Sequence, residues 1–293
     1  MKKLLAMLLA ALTLVSCSGL ALADQVESRG CLVLGEDLKT EEKAKVLEFL
    51  QVKDPDQYTV SYTTNRQEHE AFDNYLGADV VGKRALSSIL LVPRKKGEGI
   101  TVSSYNITYC TVEMYQNALI SAGVKDVALY IAAPVPVSGT CALVSAMNAY
   151  SLMTGEKIDP AAADAAADEL ATTAYIGEDL GDKESAAKLI ALLKQKMIQD
   201  NMGEEELGAA IDQVSGELGV SLTPERKSQL ITLLLKIKNA DIDVNALAEQ
   251  AAGLYNQVSG LMKKLDIKPQ EAAGFLERVM AWVSKLLSSF GIG

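Results

Sequence analysis

Chemistry that depends on an imidazole has one place to go in this chain, because His69 is its single histidine. A Ser/His/Asp triad, a Cys/His dyad or a histidine-rich zinc site must use that residue or be absent. Its surroundings, Arg66-Gln67-Glu68-His69-Glu70, predict a solvated helical face. Asp241, Asp243 and Asn245 imitate the opening of a calcium loop, but Ala246 stands where the turn needs glycine and Ala252 where the loop needs a closing glutamate. Asp243 therefore reads as a helix cap. The acids of Gly203-Glu204-Glu205-Glu206 fall where a first helical turn favours negative charge. No metal or cofactor motif is present, and no cofactor is expected.

Two polar stretches are better candidates. Arg84 to Val92 and Ile100 to Tyr109 predict strands, and the intervening Pro93-Arg94-Lys95-Lys96-Gly97-Glu98-Gly99 suits an exposed hairpin connection. Folding there would set Ser87 and Ser88 opposite Ser104-Tyr105-Asn106, placing hydroxyls, a phenol and an amide in mid-sheet. They form either a ligand-binding patch or the solvated side of an antiparallel sheet. The second stretch is Ala133-Pro134-Val135-Pro136-Val137-Ser138-Gly139-Thr140. Its prolines bar further sheet pairing and deliver Ser138, Gly139 and Thr140 to a helix start. Free N–H groups there could receive a carboxylate or phosphate, or Ser138 could simply cap the helix. Neither stretch carries an identifiable base for a nucleophilic hydroxyl.

The elements that must position these residues alternate at first. Cys31 to Leu34 predicts a strand, Thr40 caps a helix to Gln51, Tyr58 to Thr63 predicts a second strand, and Asn65 caps a helix from Arg66 to about Leu76. After the two strands above, Thr111 caps a helix that Gly123 stops, Val127 to Ala132 forms a fifth strand, and a helix carries Leu143, Met147 and Tyr150. From Asp159-Pro160 onward only helices are predicted, at about 160–172, 183–199, 204–217, 223–237, 243–264 and 269–290. The expected fold class is α+β. A sheet domain spans 24–157 and a helical domain 158–293, the latter with sequential antiparallel packing.

Residues 1–23 have the pattern of an export signal. Lys2 and Lys3 precede an apolar run from Leu4 to Val15, too short for a membrane span. Ala21-Leu22-Ala23 offers an ordinary cleavage site, whereas Leu14-Val15-Ser16-Cys17 resembles a lipobox that would make Cys17 a lipidated first residue. Both place the body outside the cytoplasm. The chain's net charge of −10 comes from 28 basic and 38 acidic residues, and losing the two lysines takes it near −12. That balance repels phosphate backbones and argues against nucleic acid as a partner. Cys31, Cys110 and Cys141 are too few for a disulfide scaffold. They allow one bridge, with Cys31 and Cys110 the favoured pair, or three buried thiols.

The last helix groups Phe275, Val279, Trp282, Val283, Leu286 and Phe290 on one broad side. It is too charged to span a bilayer, leaving its own domain, a partner or a membrane surface as its contact. In order, Leu34-Gly35-Glu36-Asp37-Leu38, Arg84-Ala85-Leu86-Ser87-Ser88, Ser104-Tyr105-Asn106-Ile107-Thr108 and Ala133 to Thr140 resemble the YpuA-like family. These are exported proteins of Gram-positive bacteria that carry a domain of unknown function. The resemblance implies export and this segment order, and it carries no cofactor or catalytic residue with it. Cys17 departs from the plain signal end of that family. The expectation is an extracytoplasmic protein that binds an envelope component or a protein partner. The alternative is an envelope hydrolase or transferase using a Ser or Thr hydroxyl with a carboxylate in place of histidine.

Overall fold

Every residue of β1 (Cys31–Gly35) is buried, which requires cover on both faces of the sheet. Alternation sends Leu32 and Leu34 to one side and Cys31 and Val33 to the other. Leu32 and Leu34 pack with Val46, Leu50, Val52, Leu90 and Ala132, beneath the helix α1 (Thr40–Phe49). Cys31 and Val33 join a larger core with Ile89, Leu91, Leu129 and Ile131. The computed structural model describes residues 29–240, and its fold class is α+β. The helices predicted at 243–264 and 269–290, Cys17 and the signal-like stretch 1–23 lie outside the described residues.

The sheet also contains β2 (Thr59–Thr63), β3 (Ser88–Pro93), β4 (Thr101–Ile107) and β5 (Val127–Val137), in the order β2-β1-β3-β5-β4. β1 is parallel to β2 and antiparallel to β3, β3 is antiparallel to β5, and β5 is parallel to β4. The expected hairpin between β3 and β4 is therefore overturned: β5 lies between them. Asp126, just before β5, explains the separation. Its carboxylate accepts from Gly97 N–H (3.0 Å) and Gly99 N–H (2.9 Å), and its carbonyl accepts from Arg94 N–H (2.7 Å). The connection is tied to the root of β5 instead of turning β4 back on β3. β4 exposes Thr101, Ser103, Ser104 and Tyr105, a composition suited to an edge.

Nor do the prolines stop pairing. β5 runs through Pro134 and Pro136 to Val137, and Ile107 pairs with Val137 after a register shift. The β3 partner ends where Ser88 meets Ala132, so the prolines sit where β5 has one neighbouring strand. Asn106 (φ +60°) forms the irregularity, and its Nδ2 donates to Ala133 O at 2.9 Å.

α2 (Asn65–Phe72) is capped by Thr64 instead of Asn65, because Thr64 and Gln67 make reciprocal bonds across the first turn. It stops at Phe72, and α3 (Ala78–Val81) is a single short turn. α4 (Val112–Ser121) and α5 (Thr140–Thr154) cover the larger core. The helical second half follows the predicted pattern: α6 (Pro160–Leu180), α7 (Lys183–Gln199), α8 (Glu204–Leu218) and α9 (Pro224–Asn239). α6 runs on to Leu180 because Ala166, Ala167, Leu170, Ala171 and Ala174 let it lie close against the core beside the sheet. No described helix is long and apolar enough to cross a membrane. Cys31, Cys110 and Cys141 are free, buried thiols, so the Cys31–Cys110 bridge is not formed.

One ion pair is wholly enclosed. Lys194 of α7 and Glu169 of α6 are both 0% exposed, with Nζ 2.7 Å from the carboxylate. Lys194 Nζ also donates to Asn117 O (3.0 Å) and Ser121 Oγ (3.1 Å) of α4, and Ser121 donates to Glu169. Asn117 Nδ2 donates to Ala187 O at 2.8 Å, returning to α7. Removing one member of a buried pair strands the other, at a cost of about 3–5 kcal/mol. Lys194→Met is expected to lose stability of that order in urea unfolding, and Lys194→Met with Glu169→Leu to recover most of it. A single variant no worse than the double would show that the pair does not anchor these helices.

Candidate functional site

The start of α5 is built by constraint. β5 arrives through two prolines, and Gly139 then adopts φ +97°, a conformation that disfavours any L side chain. A Cβ at Gly139 would also collide with the Tyr115 hydroxyl and the Ile107 side chain. Tyr115 OH donates to Gly139 O at 2.7 Å and fixes the turn from beneath. Gly139 is the N-cap and no side chain caps the helix, so the capping role expected of Ser138 is not what it performs. Ser138 Oγ instead lies 3.2 Å from Thr140 Oγ1.

Thr140 is fully buried and donates to Glu68 Oε1 at 2.6 Å. Asn65 Nδ2 donates to Glu68 Oε2 at 3.2 Å, and the nearby Cys141 backbone N–H favours the ionised form. Glu68 is 2% exposed, and burial holds its pKa above the ordinary glutamate value despite these donors. The helix terminus expected to attract an external carboxylate or phosphate thus already has an internal one. The carboxylate found at this helix start is the protein's own.

A cavity of about 520 Å³ opens beside this turn. Ser87, Ser138, Gly139, Glu68, Thr108 and Tyr109 line it, with Val81, Leu86, Pro136 and Val137 as apolar wall and Asp79, Lys83 and Arg84 among the remaining lining residues. The two polar stretches therefore meet in part. Ser87 comes from the approach to β3, and Ser138 and Gly139 from the end of β5. Thr140 stands behind them, holding Glu68. Ser88 is buried within the sheet, accepting from Gly35 N–H at 3.0 Å. Tyr105 and Asn106 do not line the cavity. β5 separates them from Ser87 and Ser88, and the Tyr105 ring packs 4.1 Å from Phe49 on the α1 side.

The walls are held from several directions. Lys183, the first residue of α7, places Nζ 3.6 Å from the Tyr109 ring centroid and donates to Tyr109 O at 3.0 Å. Arg84 is engaged by Glu42 (2.6 Å) and Asp37 O (2.8 Å). Burial pushes the Cys141 thiol pKa up to about 12, so Cys141 is no thiolate nucleophile. Among the described residues no group of His, Cys, Asp and Glu could hold a metal ion.

Comparison with known proteins bears on the whole arrangement. The family model described as "Protein of unknown function (DUF1002)" matches residues 34–254. The chain is also 36% identical over 283 residues to "Uncharacterized protein YpuA" of Bacillus subtilis (strain 168), covering 96% of this chain and 95% of that protein. The chain belongs to the DUF1002 family. No solved structure matches it.

Two residues of this DUF1002 protein escaped the charge pattern of the 66–70 segment. Glu68 looked solvated, yet it lies one helical turn before Phe72, which is fully buried, and shares its face. The signal was that spacing. His69 is not a free surface group either: its Nδ1 is 2.6 Å from Asp73 and its Nε2 is 2.9 Å from Gly82 O. Asp73 holds the imidazole pKa above its ordinary value. His69 thereby ties α2 to Gly82 on the cavity wall.

Because Glu68 binds its proton more tightly folded than unfolded, its contribution to stability is fully present below the ordinary glutamate value. It is lost as pH rises through the raised folded value. Glu68→Gln is expected to remove this component, so the difference in urea midpoint between variant and wild type should drift across that window. A difference independent of pH would contradict the burial assigned to the carboxyl.

Proposed function

We propose that this chain is an exported binding protein of the cell envelope that holds its ligand in the Glu68/Ser87/Ser138 cavity. The observation that carries the reading is convergence. Ser87 from one polar stretch and Ser138 and Gly139 from another, about fifty residues on, line one concave space of a size typical of ligand sites. The signal-like pattern of residues 1–23 supports action outside the cytoplasm, with Cys17 as a lipid tether where the lipobox is used. The acidic surface disfavours nucleic acid.

Photo-crosslinking in intact cells through a photoreactive residue in place of Ser138 tests this. The expected result is an adduct with a wall fragment, lipid or protein that disappears when Ser87→Trp fills the cavity. Absence of any adduct, or an adduct indifferent to Ser87→Trp, overturns it. Fatty-acid labelling abolished by Cys17→Ser would identify the tethered form. No label would identify a released one.

The hydroxyl chain from Ser138 (3.2 Å to Thr140) to Glu68 (2.6 Å from Thr140) favours a second reading, a hydrolase or transferase in which Glu68 serves as base. Labelling of purified protein by a serine-reactive probe, lost in Ser138→Ala, would favour it over binding alone.

A further inference from the structure

Two carboxylates are buried among the described residues, and the protein treats them differently. Glu169 has the Lys194 ammonium at 2.7 Å. Glu68 has neutral donors: the Thr140 hydroxyl and the Asn65 amide. The neighbouring imidazole, His69, directs its ring nitrogens to Asp73 and Gly82 O. Of the cations on the cavity lining, Arg84 is engaged by Glu42 and Asp37 O, and Lys83 is exposed to solvent. A buried charge needs a counter-charge to offset its lost hydration. The α5 N-terminus supplies only about half an elementary charge of compensation.

What distinguishes Glu68 from Glu169 is that Glu68 faces a cavity. A carboxylate offers about four acceptor positions, and the Thr140 and Asn65 donors leave room for another. Ser87, Ser138 and Thr108 line the same cavity with hydroxyls that can accept from a cation as well as donate, and Asp79 adds a second acidic group to the lining. The chain's net charge of −10 would steer a cation toward this surface and an anion away from it.

We propose that the cavity receives a primary ammonium group and that Glu68 is its counter-charge. This rests on the cavity being the binding site, and it names the chemistry that the site selects. The ammonium could be carried by a free amine, an amino sugar or a lysine side chain, since all three present the same three donors.

The experiment titrates the purified, folded chain with n-butylammonium, glucosamine and a terminally blocked Ala-Lys-Ala peptide, each beside its N-acetylated counterpart, following amide resonances of Ser87 and Ser138. At least one amine should bind with shifts at both positions and weaken about tenfold or more on acetylation or in Glu68→Gln, as expected for loss of a desolvated charge pair. Which amine binds identifies the source. Ser138→Lys provides a second test that leaves Glu68 in place: an ammonium supplied by the protein itself should exclude the added one, so binding unaffected by Ser138→Lys contradicts the proposal. Acetylated probes that bind as well as amines overturn the ammonium assignment while leaving the cavity reading intact. Amines that fail to bind while the Ser138 crosslink persists do the same, and failure of both removes the cavity reading as well.

Discussion

Enclosing a charge is among the costliest things a fold can do, and the position of α7 depends on doing it with Lys194. The ammonium is satisfied only where α4, α6 and α7 meet: Glu169 supplies the opposite charge, and Asn117 O and Ser121 Oγ supply acceptors. Burial depresses its pKa, with the Glu169 carboxylate pulling in the opposite direction. Sliding α7 by one turn would leave the charge against aliphatic side chains, so the pair fixes register where apolar contacts among Leu189, Ile190, Leu193 and their neighbours would tolerate several alignments. Register matters at the other end of α7, because Lys183 covers Tyr109 there. A constraint deep among the helices thus holds one wall of the cavity beside the sheet.

How much of this was legible in the sequence follows the range of the interactions. Helices α6 to α9 announce themselves through local signals: Asp159 caps α6 with bonds to Ala161 and Ala162 N–H, Asp182 caps α7, and Thr223 caps α9. Their apolar stripes recur at helical spacing over three or more turns. Sheet order is different. The separation of β3 from β4 depends on Asp126, which is 27 residues from Gly99, and no local propensity reports that bond. The prolines of β5 misled for a related reason, since a residue that cannot donate is harmful only where a partner strand needs the donor.

The candidate site divides along the same line. Ser87, Ser138 and Gly139 were legible as polar interruptions in apolar surroundings, and they do line one cavity. Tyr105 and Asn106 were legible for the same reason but belong to the edge strand and its bulge. Glu68 was not legible as a site residue because counting charges along a segment hides which face each occupies. Four of the five residues from Arg66 to Glu70 do reach at least partial solvent. The fifth turns inward beside Phe72.

That inward turn explains why an α2 residue is needed to start α5. Gly139 cannot cap a helix with a side chain, and its carbonyl serves the Ala142 N–H at 2.9 Å. Glu68 supports the helix start from another element, accepting the Thr140 hydroxyl. Capping at a distance has a consequence that capping by Ser138 would not. It brings an ionisable carboxyl into a buried position, whereas a serine would bring only a dipole, and that carboxyl also faces the cavity. The sequence could have closed this helix with an ordinary local cap; using a remote carboxylate makes the cavity's electrostatics depend on how α2 and α5 pack, and so joins the stability of the fold to the character of the site.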